Sequence, residues 1–383
     1  MEQNRLTEIL YKSISPVVCA VGQAYCICIP VAKPALISIL IGDEEYAAHD
    51  NGVRSSKTGI QKIRIPMTAL DAEKQYTVRV RPVLAREPYH PPTLPPFEKA
   101  FDFSPIEKTE DIRIYHLSDV HGETEAASLA GRFFNGGKPD LLILNGDISS
   151  SSKTEAEILR LFEIAFNITG GSCPVIITRG NHDCRGQFAD RLSEYYPEQN
   201  GSFFYSVRLG PVWFLVLDCG EDKNDDHCEY GHTAYYHPYR LAETAYIEDV
   251  IRNAAREYMT PDVLYKIVLS HIPFMHTDFD PNKNVHEFDI EQPLYTRWCE
   301  MLREEIKPDF GLFGHVHTTG LFSPGGRYDN KNFGIPMILG GRPDHEQHNV
   351  VGTALLLNEK SVSIRFTDKS HTVLSEALII NNN

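Results

Sequence analysis

The sequence is short of positive charge, of long apolar runs and of paired cysteines, and each shortage removes a class of function. Its 383 residues carry 37 Lys+Arg against 52 Asp+Glu, a formal charge of −15, with no sustained Lys/Arg run. Gripping nucleic acid through its phosphates needs clustered cations, so no nucleic-acid partner is expected. No stretch approaches the ~18 consecutive apolar residues of a membrane-spanning helix. The opening Met1-Glu2-Gln3-Asn4-Arg5-Leu6-Thr7-Glu8 also lacks the charged and then apolar halves of a secretory signal. The chain therefore reads as cytoplasmic, with no membrane partner. Its eight cysteines (Cys19, Cys26, Cys28, Cys173, Cys184, Cys219, Cys228 and Cys299) show no C-x-x-C spacing, which argues for reduced thiols. Cys26 and Cys28, two apart in an apolar strand, share one face and read as core. Cys184 sits beside a polar motif, where an inert thiol is the commoner outcome than a reactive one. Internal repeats and low-complexity segments are also missing.

What is present is an ordinary globular composition, 42% hydrophobic, at a length that suits two or three domains. Residues from about 15 to 105 read as an all-β sandwich. Short runs such as Val17-Val18-Cys19-Ala20-Val21, Ala35-Leu36-Ile37-Ser38-Ile39-Leu40 and Gln61-Lys62-Ile63-Arg64-Ile65 alternate with Gly, Pro, Asn and Asp clusters, and helical periodicity is lacking. The stretch from Leu70 to Val80 resembles the corner of a fibronectin type III or immunoglobulin-like sandwich, in which a tyrosine, here Tyr76, ties the corner to the backbone. The proline-rich Arg86 to Pro96 reads as an extended connector. These signals divide the chain into a β-sandwich with its linker at 1–105 and a second domain at 106–383.

In the second part strands alternate with helices. Ile112 to Leu117 runs into Ser118-Asp119-Val120-His121-Gly122, and Leu141 to Leu144 runs into Asn145-Gly146-Asp147. Ile158, Leu161, Phe162, Ala165 and Phe166 then form the stripe of an amphipathic helix, and Val175-Ile176-Ile177-Thr178 delivers Arg179-Gly180-Asn181-His182-Asp183. A hairpin around Leu209-Gly210-Pro211 follows. Helices are expected near Leu241 to Tyr258 and Pro293 to Glu305. Tyr265 to Leu269 delivers Ser270-His271, and Phe310 to Phe313 delivers Gly314-His315-Val316-His317. This order predicts a largely parallel α/β sheet with every polar motif at a strand's carboxyl end, where such sheets place their ligands.

Taken singly, Asp119-Val120-His121 fits a turn, Asp147 a helix cap and His271 a hydrogen-bonded core residue. Together they are a metal-ligand set. Alternating pairs such as Asp119 with His121 and His315 with His317 leave an extended backbone on one side. Carboxylate, imidazole and amide oxygen in this mixture suit Mn, Fe, Zn or Ni. The donors are too many for one ion, and an aspartate can bridge two ions about 3.5–4 Å apart.

The succession D-x-H, G-D, G-N-H-[DE], a lone H and G-H-x-H over residues 112 to 320 resembles the calcineurin-like metallophosphoesterases. That resemblance implies a four-layer αββα fold. It further implies that Asp119, His121 and His317 bind one metal, that Asn181, His271 and His315 bind the other, and that Asp147 bridges them. A β-sandwich ahead of this domain resembles the layout of purple acid phosphatases. Those enzymes place a tyrosine three residues after the bridging aspartate, whereas this chain has Ser150 there, so no ferric–tyrosinate chromophore is expected. The expected activity is hydrolysis of phosphate esters by a metal-bridging hydroxide. His182 would be the acid for the leaving group, with Asp183 orienting its imidazole.

Specificity is expected from the loops at the same edge, Asp218 to Arg240 and His276 to His286. Their acidity disfavours large polyanions and points to small phosphate monoesters. A phosphodiesterase acting on cyclic nucleotides or head groups, and a non-catalytic scaffold on the same fold, are the alternatives.

Overall fold

The computed structural model describes residues 14–134, 137–277, 290–359 and 361–380. The opening octapeptide and residues 278–286 of the second specificity loop lie outside them. Two large sheets stack face to face. In the first, Ile112–Leu117, Leu141–Asn145 and Val175–Thr178 are parallel neighbours, flanked on one side by the antiparallel Asn349–Asn358, Ser361–Thr367 and Val373–Ile380. In the second, Val212–Leu217, Tyr265–Ser270, Phe310–Phe313 and Met337–Gly340 are parallel, with Tyr205–Leu209 and Thr319–Phe322 closing the edges antiparallel.

The two-residue period of each strand sorts its side chains between layers. Ile114, Leu141, Ile143 and Ile176 meet Phe214, Ile267, Leu312 and Ile338 between the sheets. Their sequence neighbours Tyr115, Leu142, Leu144 and Ile177 point the other way, onto Ala127 of helix Thr124–Ala130 and Ile158, Leu161 and Phe162 of helix Glu155–Thr169. On the far side Trp213, Leu215 and Val268 carry Ile247 and Trp298 from helices Tyr236–Arg252 and Gln292–Met301. Each fully buried large apolar side chain contributes about 1.5–3 kcal/mol, and the result is the helix–sheet–sheet–helix sandwich expected. Helix Glu155–Thr169 begins at a reciprocal cap: Glu157 N donates to Thr154 Oγ1 at 3.3 Å and Thr154 N to Glu157 Oε2 at 2.8 Å.

Among the described residues the N-terminal region is all-β apart from helix Met67–Glu73, which falls inside a stretch expected to hold no helix. Strands Glu44–Ala47, Ala35–Ile41, Gln75–Pro82 and Phe97–Asp102 form their own four-stranded sheet. It packs Ile37, Ile39, Val78 and Val80 against Ile27, Ile29, Ile63 and Ile65 of Ala24–Val31 and Gly59–Pro66. Those two strands, with Val17–Val21, extend the first large sheet through the parallel pairing of Cys19 with Val175. The hydrogen-bonded sheet therefore runs across the division placed at residue 105.

Two local expectations change. The proline-rich stretch joins no separate bodies; Leu84 N donates to Pro92 O and Leu94 N to Pro82 O, so it is the loop of a hairpin whose return strand is Phe97–Asp102. Tyr76 does not tie its own corner. Its hydroxyl donates to Gly171 O at 2.8 Å, beyond the end of helix Glu155–Thr169. Cys19, Cys26 and Cys28 are buried free thiols, as core packing requires. Among the described residues no helix is long and apolar enough to cross a membrane.

Candidate metal centre

All five polar motifs meet at the carboxyl ends of the parallel strands, but not through extended backbone. Asp119 (φ 53°), His121 (φ 48°), Asp147 (φ 53°), His315 (φ 70°) and His317 (φ 48°) are all left-handed. The alternating pairs converge because the chain turns sharply at each member, which corrects the extended geometry expected from their spacing. Asp and His tolerate this region better than most residues, yet each such turn costs of order 1–3 kcal/mol. Backbone hydrogen bonds hold the turns together, from Asp119 N to Gly146 O (3.2 Å), His121 N to Asp147 O (3.0 Å) and Gly122 N to Ile148 O (2.9 Å).

Asp119, His121 and His317 present ligand atoms within 4.8 Å of one another, and so do Asp147, His271 and His315. In the first group His121 Nε2 lies 3.0 Å from His317 Nε2, and His317 Nε2 lies 3.4 Å from Asp119 Oδ1. In the second, His271 Nε2 is 3.1 Å from Asp147 Oδ2. That same oxygen is 4.0 Å from His121 Nε2, so Asp147 stands between the groups. Asn181 Oδ1 is 3.0 Å from His315 Nδ1 and 3.2 Å from Asp147 Oδ2, while its amide nitrogen faces Arg185 Nη2 at 3.3 Å. Hydrogen bonding alone would reverse this amide. Carboxylate, amide and imidazole groups converge at this point, a donor set that fits a divalent metal.

Close backbone approach makes the arrangement possible. A Cβ on Gly146 would fall 2.6 Å from His271 Nδ1 and 2.7 Å from Gly180 Cα, and one on Gly180 would fall 2.6 Å from Asp147 N. Gly180 therefore provides room for Asp147.

Protonation suits ligation. Burial drives His121 and His315 down to about 4, leaving neutral imidazoles. At His271 burial also opposes protonation, but the Asp147 and Asp119 carboxylates win and raise it to about 10. Its Nδ1 donates to Asn145 O at 2.7 Å, which directs Nε2 at Asp147. Burial works against ionisation of Asp147 too, yet the His271 charge holds its carboxyl well below the ordinary range. An imidazolium thus balances the carboxylates here, and a metal would displace its proton.

His182 lies at the rim, its ring 4.9 Å from that of His121. It also forms a ligand-sized group with His121 and Asp147. Its Nδ1 donates to Ser150 O at 3.0 Å. Asp183 does not orient it, contrary to expectation. The Asp183 carboxylate accepts from Gly180 N (2.8 Å), Asp147 N (3.1 Å) and Tyr196 Oη (3.3 Å), facing the interior. Burial pushes the Cys184 thiol up to about 12, the opposite of an activated thiolate.

A cavity of about 580 Å³ opens on the centre, lined by Asp147, Asn181, His182, His315 and His317. From the loop Asp218 to Arg240 it takes Asp222, Lys223 and Glu229. Arg240 is instead buried and pins that loop, donating to Cys219 O (3.0 Å) and Glu221 O (2.7 Å). Sequence reasoning passed over Arg185, which lines the cavity and is forked onto Glu221 at 2.8 and 2.7 Å. It also passed over His345, whose ring lies 6.3 Å from that of His121 and whose Nδ1 is 3.0 Å from Glu123 Oε1. The 222 positions separating that pair left no sequence signal.

Residues 112–319 match the family model for calcineurin-like phosphoesterase. Among solved structures, purple acid phosphatase PPD1 from yellow lupin (Lupinus luteus) seeds matches with a TM-score of 0.63 and 14% identity, covering 96% of this chain and 74% of its own. A structure of PhoD matches with a TM-score of 0.52 and 12% identity, covering 96% and 90%. At such identity the likeness is one of fold. No curated protein matches the chain in sequence.

Proposed function

The chain belongs to the calcineurin-like phosphoesterase family, and on that footing we propose that it is a dinuclear-metal hydrolase of small phosphate monoesters. Asp119, His121 and His317 would hold one divalent ion, and Asn181, His271 and His315 the other, with Asp147 shared. The donor chemistry suits Mn, Fe, Zn or Ni. When bound, the ions supply Lewis acidity, lowering the pKa of water and withdrawing charge from phosphoryl oxygens.

The chain's own groups do the rest. Ser150 O fixes the His182 proton on Nδ1, so that in the imidazolium Nε2 carries the proton that a leaving oxygen takes. Arg185, held by Glu221 in the cavity wall, is placed to bind a phosphoryl oxygen. Asp183 and Gly180 keep Asp147 and Asn181 close enough to share an ion. The observation that carries this reading is the position of Asp147 between two ligand groups at the floor of one cavity.

The test compares p-nitrophenyl phosphate with bis-p-nitrophenyl phosphate on Mn-loaded protein. The monoester is expected to turn over faster, and preference for the diester would reverse the assignment. His182→Ala is expected to lower kcat about 10²-fold or more at unchanged metal content. Near-normal turnover in the metal-replete variant would remove His182 from proton transfer.

A further inference from the structure

Among the described residues the cavity wall carries Arg185, Lys223 and Arg327, three cations of unequal commitment. Arg185 is forked onto Glu221 and reaches Asp222 at 3.3 Å. Lys223 pairs with Asp222 at 3.1 Å and Glu229 at 3.2 Å. Arg327, exposed on the cavity wall, has no carboxylate partner among the described residues; its guanidinium lies 5.3 Å from the centroid of the Tyr328 ring. That ring is a fixed platform. Tyr328 is 6% exposed and is met edge-on by Phe322 at 4.5 Å and His276 at 4.8 Å. A guanidinium stacked on an aromatic face keeps its donors free at its edge, ready for a planar anion.

The rest of the lining divides the cavity by chemistry. The metal-ligand end takes a phosphoryl group, and Ile272, Phe274, Ile290 and Val316 offer carbon surface. In a protein of net charge −15, a cation without a carboxylate partner among the described residues, in a cavity proposed to serve phosphate, has work for a second anion. We infer that the substrate is a phosphate monoester whose alcohol portion is apolar or aromatic and carries a second anionic group, which Arg327 binds. This rests on the phosphomonoesterase reading and specifies its substrate class.

Two probes on one aryl phosphate frame compare a charged with a neutral para group: 4-carboxyphenyl phosphate and its carboxylate methyl ester, which differ by one methyl group. They are assayed with the full-length, Mn-loaded parent, Arg327→Met and Arg327→Lys, with melting temperatures recorded to confirm folding. Arg327→Met is expected to raise KM for the carboxylate about fivefold at unchanged kcat and to leave the methyl ester within about twofold, the mark of lost ground-state binding. Arg327→Lys keeps the charge and is expected to recover most of the loss. Equal shifts for both esters, or none for either, overturn the inference while leaving the phosphomonoesterase reading intact. Absence of turnover of either ester by the parent removes both.

Discussion

Asp183 accepts hydrogen bonds from two backbone amides and a tyrosine, while its neighbour His182 turns outward to the Ser150 carbonyl. The two residues therefore fail differently. Burial, with the nearby Asp147 charge, raises the Asp183 carboxyl to about 6, yet its acceptor oxygens hold Gly180 and Asp147 together. Asp183→Ala removes the acceptors and leaves the Gly180 and Asp147 N–H groups unsatisfied in the interior, which costs about 1–3 kcal/mol. Thermal unfolding is expected to show that loss together with weaker Mn binding, with kcat near normal once metal is saturating. Full stability with kcat abolished would mean that Asp183 acts through His182 after all. The side chains proposed as metal ligands converge as their motifs suggest, because each motif announces its chemistry in a few letters. The Ser150 carbonyl was not legible, since a backbone group has no letter, and neither was the Arg185–Glu221 fork, since charge pairing between distant loops leaves no local pattern.

At the scale of elements, Asp140 shows how the ligand-bearing strands are kept in register. One residue ahead of Leu141–Asn145, it accepts from Arg113 N at 2.7 Å and pairs with Arg113 Nη2 at 3.0 Å and Lys108 Nζ at 2.6 Å. Burial opposes its ionisation, but these partners hold its pKa below the ordinary value. A depressed carboxylate stabilises the fold above its unfolded pKa, about 3.9, and that contribution disappears as pH falls through the lower folded value. Asp140→Asn is expected to cost about 1–3 kcal/mol near neutrality, with the gap from the parent closing below about pH 4. A gap independent of pH would contradict the ionic origin. The parallel strands and their helices were readable because long periodic patterns reflect two-sided burial. Helix Met67–Glu73 buries only Leu70, too little to imprint a periodicity. The proline-rich hairpin loop looked like a connector because proline lacks ladder N–H groups in either role.

Over the whole molecule, the first large sheet carries Asp119 and Asp147 at its strand ends and also incorporates the N-terminal strands beyond Val175–Thr178. The core between the layers is continuous from Ile27 and Val78 to Ile267 and Leu312. Composition could place strands in the N-terminal region, but pairing of Cys19 with Val175 joins residues 156 positions apart and is invisible to local pattern. The second sheet contributes His271, His315 and His317, so the proposed centre, two ions sharing Asp147, exists only where the two sheets are stacked. Metal-stripped protein titrated with Mn, with bound metal and the initial rate on p-nitrophenyl phosphate read from the same samples, tests it directly. The rate is predicted to rise to a plateau at two ions per chain; a plateau at one ion, or no turnover with two bound, would contradict it.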